Sequence, residues 1–149
     1  MSDQDPEILG GTKLPDVAQL SPIVSVALGQ NPSMFTGPGT HTYLVGTGEK
    51  RILLDTASGL DEYMPVLEEA VASAGCKEIE AIVLTHAHPD HIGGVNQVRG
   101  HFGSNIPVYK MPWPKDSGLS GPGGEVSPTP LDDPDSLADG KLELISGGD

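Results

Sequence analysis

The sequence predicts an α/β fold in which helices cover one face of a mixed β-sheet. Short runs rich in Val, Ile and Leu alternate with an amphipathic helical segment, an order typical of α/β domains. Gly and Pro residues separate these runs at turn positions. The chain has 149 residues, a length that suits one domain.

Six apolar runs are predicted as strands because they are short and rich in β-branched residues. They span residues 23–28, 42–45, 52–54, 81–84, 106–109 and 141–145. Residues 46–50 contain two glycines between the second and third runs, which predicts a hairpin turn.

Residues 61–74 form the best predicted helix because their apolar side chains recur at helical spacing. That stripe comprises Tyr63, Leu67, Ala70, Val71 and Ala74. Asp61 is the predicted N-cap and Gly75 the predicted stop, and Pro65 is tolerated near the first turn. Apolar residues at 95, 98 and 102 predict a second, shorter helix.

Two segments are predicted to lie outside regular structure. Residues 1–19 read as a loose N-terminal arm ahead of a domain spanning 20–149. Within that domain, residues 111–130 are rich in Gly, Pro and Ser, which predicts a flexible loop.

Composition limits the partners that we expect. The formal net charge is −13, which repels phosphate backbones and anionic membranes, so nucleic acid is disfavoured as a ligand and a small-molecule substrate is favoured. Cys76 is the only cysteine, so no internal disulfide is expected. The first residues lack a signal-peptide pattern and no apolar run reaches transmembrane length, so we expect a cytoplasmic protein.

The segment 85–94, T-H-A-H-P-D-H-I-G-G, is the clearest functional signal. It follows the apolar run 81–84 and so leaves the end of a predicted strand. His86 and His88 are two residues apart and would point the same way in an extended segment. Asp90 and His91 follow a bend and could bind a second ion. Imidazole nitrogen and carboxylate oxygen are ligands that zinc favours.

The same segment resembles the signature of the metallo-beta-lactamase superfamily. N-P-S-M-F-T at 31–36, G-T-H-T-Y-L-V-G at 39–46, R-I-L-L-D-T at 51–56 and V-Y-K at 108–110 resemble a narrower branch. That branch contains lactamase-beta-like endoribonucleases and fungal polyketide carrier-protein thioesterases. The resemblance runs from about residue 20 to 145.

The resemblance implies the N-terminal half of an αββα sandwich and a site with two Zn²⁺ ions. His86, His88, Asp90 and His91 would be metal ligands, and Asp90 would also accept a proton during catalysis. Asp55 would lie beneath the loop and orient it, since a ligating histidine usually needs a partner for its other ring nitrogen. The family usually has Gly where this chain has Ala57, so the bend there is expected to differ.

The remaining ligands of the family site come from the second half of the fold, after a strand like 141–145. Only two ligands per ion are therefore expected from this chain, whereas catalytic zinc normally has three. A half-sandwich also exposes a sheet face that a partner or a dimer would cover.

Three functions follow from these expectations. The first is a dinuclear zinc hydrolase acting on a thioester or another acyl substrate. The alternatives are a truncated, non-catalytic paralogue with weak metal binding and a single-stranded RNA endonuclease, which the charge disfavours.

His41 would border the site as a substrate contact or a surface histidine. Trp113 is either a lid aromatic or a packing anchor, and His101 reads as structural at a helix end.

Overall fold

The computed structural model describes residues 14–110, which form one six-stranded mixed sheet with three helices. The strands are β1 (Val17–Ser21), β2 (Val24–Leu28), β3 (His41–Val45), β4 (Lys50–Leu54), β5 (Glu78–Leu84) and β6 (Val108–Lys110). The helices are α1 (Tyr63–Ser73), α2 (Pro89–Ile92) and α3 (Val95–Phe102). The predicted α/β class and mixed sheet are confirmed.

The sheet follows chain order from β1 to β6. The pairs β1–β2, β2–β3 and β3–β4 are antiparallel, and these strands are joined by short turns and one longer loop. β4, β5 and β6 are parallel, and α1 makes the connection between β4 and β5. The carboxyl ends of β4 and β5 therefore meet at one edge of the sheet.

The core lies between one sheet face and the helices. Leu44, Leu53 and Ile82 occupy facing positions on adjacent strands and are fully buried. Tyr63 and Leu67 of α1 are equally buried, and both belong to the same cluster. The apolar stripe of α1 is thus core packing, as its spacing predicted.

The opposite sheet face is also apolar. Its residues alternate with those of the core face and stand outside the helical core cluster. They include Val24, Val26, Tyr43, Val45, Ile52, Leu54, Val83 and Tyr109. Most of them are half-buried. This face has the character expected of half a sandwich, and the partner or dimer expected to cover it stays a prediction.

Two expectations are corrected within residues 14–110. β1 begins at Val17, inside the predicted arm 1–19. It is an edge strand with exposed Gln19 and Leu20, so its sequence lacks the alternation that marks a half-buried strand. Asp61 is not the N-cap, because α1 begins at Tyr63 after Glu62, and no side chain caps it.

The predicted end of α1 agrees with the structure. Gly75 adopts φ +68 just after α1, as a helix stop requires. Cys76 is buried, and its Sγ lies 3.2 Å from the Glu78 carbonyl oxygen. The predicted loop 111–130, the strand 141–145, Trp113 and the first thirteen residues of the arm lie outside the described residues.

Between residues 14 and 110, none of the helices is both long enough and apolar enough to cross a membrane.

Candidate metal centre

The histidine-rich loop lies where the carboxyl ends of β4 and β5 meet. β5 ends at Leu84, and the chain turns through residues 85–88 into the short helix α2. β4 ends at Leu54, so Asp55 follows directly beside the loop. Its backbone N–H donates to the carbonyl oxygen of Val83 at 2.9 Å, which continues the parallel pairing to the edge of the site.

Asp55 is the buried support of this loop, with 4% of its surface exposed. Its Oδ1 accepts the Thr85 backbone N–H at 2.9 Å, and its Oδ2 accepts the Thr85 hydroxyl at 2.8 Å. His91 Nδ1 lies 2.7 Å from the same Oδ2. One carboxylate thus holds both the start of the loop and a histidine of α2.

Thr56 fastens the other end of α2. Its backbone N–H and its hydroxyl both donate to the His91 carbonyl oxygen, at 2.9 Å and 2.8 Å. Gly94 N–H donates to the Thr56 hydroxyl oxygen at 3.2 Å. A Cβ atom at Gly94 would stand 2.0 Å from the Thr56 carbonyl oxygen, so only glycine permits this approach.

The three histidines of the loop are brought together. The rings of His86 and His88 meet edge to face with centroids 4.5 Å apart, and those of His86 and His91 are 4.0 Å apart. Partial burial, followed by the neighbouring His91 and His88, lowers the pKa of His86. A lowered pKa favours the neutral imidazole, which is the form that binds metal.

The hydrogen bonds fix which ring nitrogens carry protons. A carboxylate only accepts, so His91 donates to Asp55 from Nδ1. The Thr85 hydroxyl gives its single proton to Asp55, so its oxygen accepts from His86 Nδ1, 2.8 Å away. In their neutral forms, both histidines therefore present an unprotonated Nε2.

Asp90 faces the Nε2 atom of His91. Its Oδ2 lies 3.2 Å from that nitrogen. Two acceptor atoms at this distance repel each other unless a cation lies between them, either a proton on Nε2 or a metal ion. Two donors each about 2.1 Å from one tetrahedral ion lie about 3.4 Å apart, close to the observed separation.

The donor types and the orientation of His91 thus fit zinc. The pairing of a ligating histidine with a buried carboxylate is the usual support of such ligands. Among residues 14–110, however, no group of three or more His, Cys, Asp or Glu side chains converges on a single metal position. The loop therefore brings donors together as pairs, and the assignment of His86, His88, Asp90 and His91 as ligands stays a prediction.

Thr40 and Asn31 reach the site without having been singled out by sequence. The Thr40 hydroxyl donates to Asp90 Oδ2 at 2.9 Å, and Asn31 Nδ2 donates to the Thr40 hydroxyl oxygen at 3.0 Å. Both residues fall in the segments 31–36 and 39–46, whose resemblance to the branch was the available signal. Their roles depend on contacts across fifty positions, which local patterns do not reveal.

The two other histidines lie apart from the loop. His41 begins β3, and its Nδ1 lies 3.2 Å from the Gly39 carbonyl oxygen. His101 lies in the last turn of α3, where its Nε2 is 2.9 Å from Glu68 Oε1. The His101 contact joins α3 to α1, in keeping with a structural role.

The fold and the loop define an α/β protein with a histidine–aspartate site at the carboxyl ends of two parallel strands. The family model of the metallo-beta-lactamase superfamily matches residues 35–148, and the chain belongs to this superfamily. The resemblance inferred from the motifs is therefore confirmed.

Two relatives illustrate the likeness in sequence. The beta-lactamase-like protein 2 homolog of Caenorhabditis elegans is 42% identical over 111 residues, covering 72% of this chain and 37% of that protein. An atrochrysone carboxyl ACP thioesterase of Claviceps purpurea is 47% identical over 83 residues, covering 56% of this chain and 26% of that protein. The chain thus spans well under half the length of these relatives.

A solved structure agrees with the fold. A metallo-beta-lactamase family protein from Thermus thermophilus matches with a TM-score of 0.50 and 28% identity. The match covers 61% of this chain and 29% of that chain.

Proposed function

We propose that this chain carries part of the site of a metal-dependent hydrolase, with two zinc ions, that cleaves a thioester or another acyl bond of a small substrate. The observation that carries the proposal is the contact between Asp55, His91 and Asp90. A buried carboxylate fixes the His91 tautomer and leaves Nε2 facing a second carboxylate 3.2 Å away. A proton on Nε2 or a metal ion would relieve the repulsion between these two atoms, and zinc suits the donor atoms.

The four loop side chains have distinct roles in this proposal. His86 and His88 would hold one ion, and Asp90 and His91 would hold the other. When bound, the zinc ions supply Lewis-acid polarisation of a carbonyl and a nucleophilic hydroxide at neutral pH. Asp90 would also accept a proton during catalysis, and Asp55 would keep His91 in the ligating tautomer.

Acyl substrates are favoured over RNA for two reasons. Several relatives are named carrier-protein thioesterases, which act on an acyl thioester. The net charge of −13 opposes the phosphate contacts that RNA cleavage would need. A cytoplasmic location stays a prediction.

The test combines metal binding with turnover. Purified protein is titrated with zinc against a chromophoric chelator, and hydrolysis of a small acyl thioester is followed by release of the thiol. The proposal expects zinc binding and chelator-sensitive hydrolysis in the wild type. The His86→Ala, His88→Ala double variant should bind less zinc and lose the hydrolysis. His101→Ala removes a histidine outside the loop and should change neither property.

Three results would decide against parts of this proposal. Unchanged zinc binding in the double variant would show that the ligand assignment is wrong. Zinc binding without hydrolysis of any acyl thioester would favour the non-catalytic alternative. Cleavage of single-stranded RNA at low salt, with no esterase activity, would favour the nuclease.

A further inference from the structure

We propose that Thr40, held by Asn31, is a positioning residue that fixes the orientation of the Asp90 carboxylate for metal binding. The inference rests on the proposed function, because it assigns Thr40 a task toward the zinc ion that Asp90 would hold. Thr40 is 5% exposed and lies where the loop after β2 enters β3. It reaches Asp90 from a segment fifty positions earlier in the chain than the histidine loop.

Asn31 forms two hydrogen bonds with Thr40. The Thr40 backbone N–H donates to Asn31 Oδ1 at 2.8 Å, and Asn31 Nδ2 donates to Thr40 Oγ1 at 3.0 Å. A backbone N–H only donates, so the amide oxygen must face it and the NH₂ group must face the hydroxyl. The orientation of the Asn31 amide is thereby settled by chemistry.

This orientation decides the direction of the next hydrogen bond. A threonine hydroxyl has one proton, and here its oxygen already accepts from Asn31. The proton is therefore available for Asp90 Oδ2, which lies 2.9 Å away and accepts it. Asp90 Oδ2 is held from one side by Thr40 while His91 Nε2 approaches it at 3.2 Å.

Asn31 and Thr40 are also bonded to neighbouring elements. Asn31 Nδ2 also donates to the Ser58 hydroxyl oxygen at 2.8 Å, which ties it to the β4–α1 loop. Gly29 N–H donates to the Thr40 carbonyl oxygen at 2.8 Å. A Cβ atom at Gly29 would stand 2.8 Å from Asn31 Oδ1 and 2.9 Å from the Thr40 carbonyl oxygen. These contacts hold the Asn31 side chain and the Thr40 backbone in place.

Thr42 provides a matched control two residues further along the chain, in β3. Its hydroxyl is also buried, but it donates to the Ala27 carbonyl oxygen at 2.8 Å and lies 2.7 Å from the Tyr63 hydroxyl. Replacing it removes a threonine hydroxyl of the core without touching Asp90. A purely structural effect of losing a buried hydroxyl would therefore appear in both variants.

The test measures zinc affinity by competition with a chromophoric chelator in the full chain. Thr40→Val keeps the side-chain shape and removes the hydroxyl, and we expect its zinc affinity to fall about 10–100-fold, as for other partners of metal ligands. Thr40→Ser restores the hydroxyl and should stay within about threefold of the wild type. Thr42→Val should bind zinc like the wild type under conditions where it is folded.

A second variant and a second measurement distinguish altered metal binding from loss of the fold. Asn31→Ala leaves the Thr40 hydroxyl in place but frees its orientation, so zinc affinity should again fall severalfold. Cobalt bound in place of zinc gives an absorption spectrum that reports ligand geometry, and we expect it to change in Thr40→Val and not in Thr42→Val. Circular dichroism establishes that each variant is folded.

The outcomes separate this inference from the proposed function. Zinc affinity of Thr40→Val equal to that of the wild type would overturn the inference alone, as would a loss of equal size in Thr40→Ser. A Thr40-dependent zinc affinity without any thioester hydrolysis would support the inference and count against the proposed hydrolase. A wild-type chain that binds no zinc would overturn both.

Discussion

Replacing Asp55 by Asn tests the support of the histidine loop with almost no change in shape. The substituted amide keeps one oxygen, which must continue to accept the Thr85 backbone N–H. Its NH₂ group then takes the place of Oδ2 and faces two groups that donate in the wild type, the Thr85 hydroxyl and His91 Nδ1. Both contacts become donor against donor.

The magnitude follows from these two contacts. A hydrogen bond to a charged group contributes about 1.5–3 kcal/mol to stability, so loss of both sets an upper value of about 3–6 kcal/mol. The Thr85 hydroxyl can rotate, and His91 can move its proton to Nε2, so part of the loss is recovered. The neutral amide is also cheaper to bury than the carboxylate. We expect the free energy of unfolding to fall by about 2 kcal/mol.

The same substitution has a larger consequence for the site. Moving the proton of His91 to Nε2 blocks the nitrogen that would bind metal. We therefore expect zinc affinity to fall about 10–100-fold, in proportion to other losses of a ligand's supporting carboxylate. Nitrogen chemical shifts of the His91 ring report the tautomer directly and should show Nδ1 protonated only in the wild type.

Urea unfolding followed by circular dichroism measures the stability, and chelator competition measures zinc. Asp61→Asn, at an exposed position before α1, is the control for loss of one negative charge. An Asp55→Asn variant with wild-type stability and wild-type zinc affinity would refute the reasoning. So would equal effects of Asp55→Asn and Asp61→Asn, because charge rather than position would then explain them.

Three further predictions concern other parts of the described chain. Gly94→Ala places a Cβ atom 2.0 Å from the Thr56 carbonyl oxygen, so the free energy of unfolding should fall by at least about 1–3 kcal/mol. Tyr63→Phe removes a hydroxyl that lies 2.7 Å from the Thr42 hydroxyl, and stability should fall by about 1 kcal/mol. The pKa of His86, followed by NMR titration of its ring, should lie below its ordinary value of 6.5 because of burial.

The two stability predictions each have a control variant, and the direction of the His86 pKa shift tests the third prediction. Gly100→Ala, in α3, adds a Cβ atom that has no neighbouring atom within 4 Å. The free energy of unfolding should therefore rise by up to about 1 kcal/mol. Tyr43→Phe, at a half-buried position on the other sheet face, should change stability by under about 0.5 kcal/mol. Equal effects within either pair would contradict the structural explanation.

The sign of the His86 effect follows from linkage. With a folded-state pKa below 6.5, the unfolded chain binds more protons than the folded chain in the window between the two values. Stability contributed by neutral His86 is therefore present above pH 6.5 and is lost as the pH falls through that window. A titration midpoint at or above 6.5 would show that the burial argument is wrong.

The sequence predicted those parts of the fold whose signals are local. The apolar run before Thr85, the periodic residues of α1 and the glycine after it all specify structure within a few positions of themselves. β1 was missed because an edge strand with exposed Gln19 and Leu20 gains its conformation from pairing with β2. Its pattern alone resembles a loop.

Some residues of the candidate site also have a local signal in the sequence, and others have none. The loop histidines and Asp90 could be proposed from the sequence because their spacing is dense in one short segment. Asp55 could be proposed because it ends an apolar strand within a recognised motif. Thr40 and Asn31 lie about fifty to sixty positions before Asp90 in the chain. Only the strand order β2–β3–β4–β5 brings their loop to the same sheet edge. No periodicity in the sequence encodes that meeting.

The bend after β4 links backbone conformation to the chemistry of the site. Asp55 adopts φ +63 and Ala57 φ +55, in the left-handed region that costs a residue with a Cβ atom about 1–2 kcal/mol. Aspartate tolerates this region better than most residues, and its left-handed backbone turns the carboxylate toward Thr85 and His91. Ala57 stands where the resemblance implies glycine, and it adopts a left-handed conformation that glycine favours. The strain persists because Ala57 is fully buried and Thr56 is bonded to the His91 carbonyl oxygen. Such strain survives only where the surroundings determine it, which is the behaviour expected of a bend kept for its site.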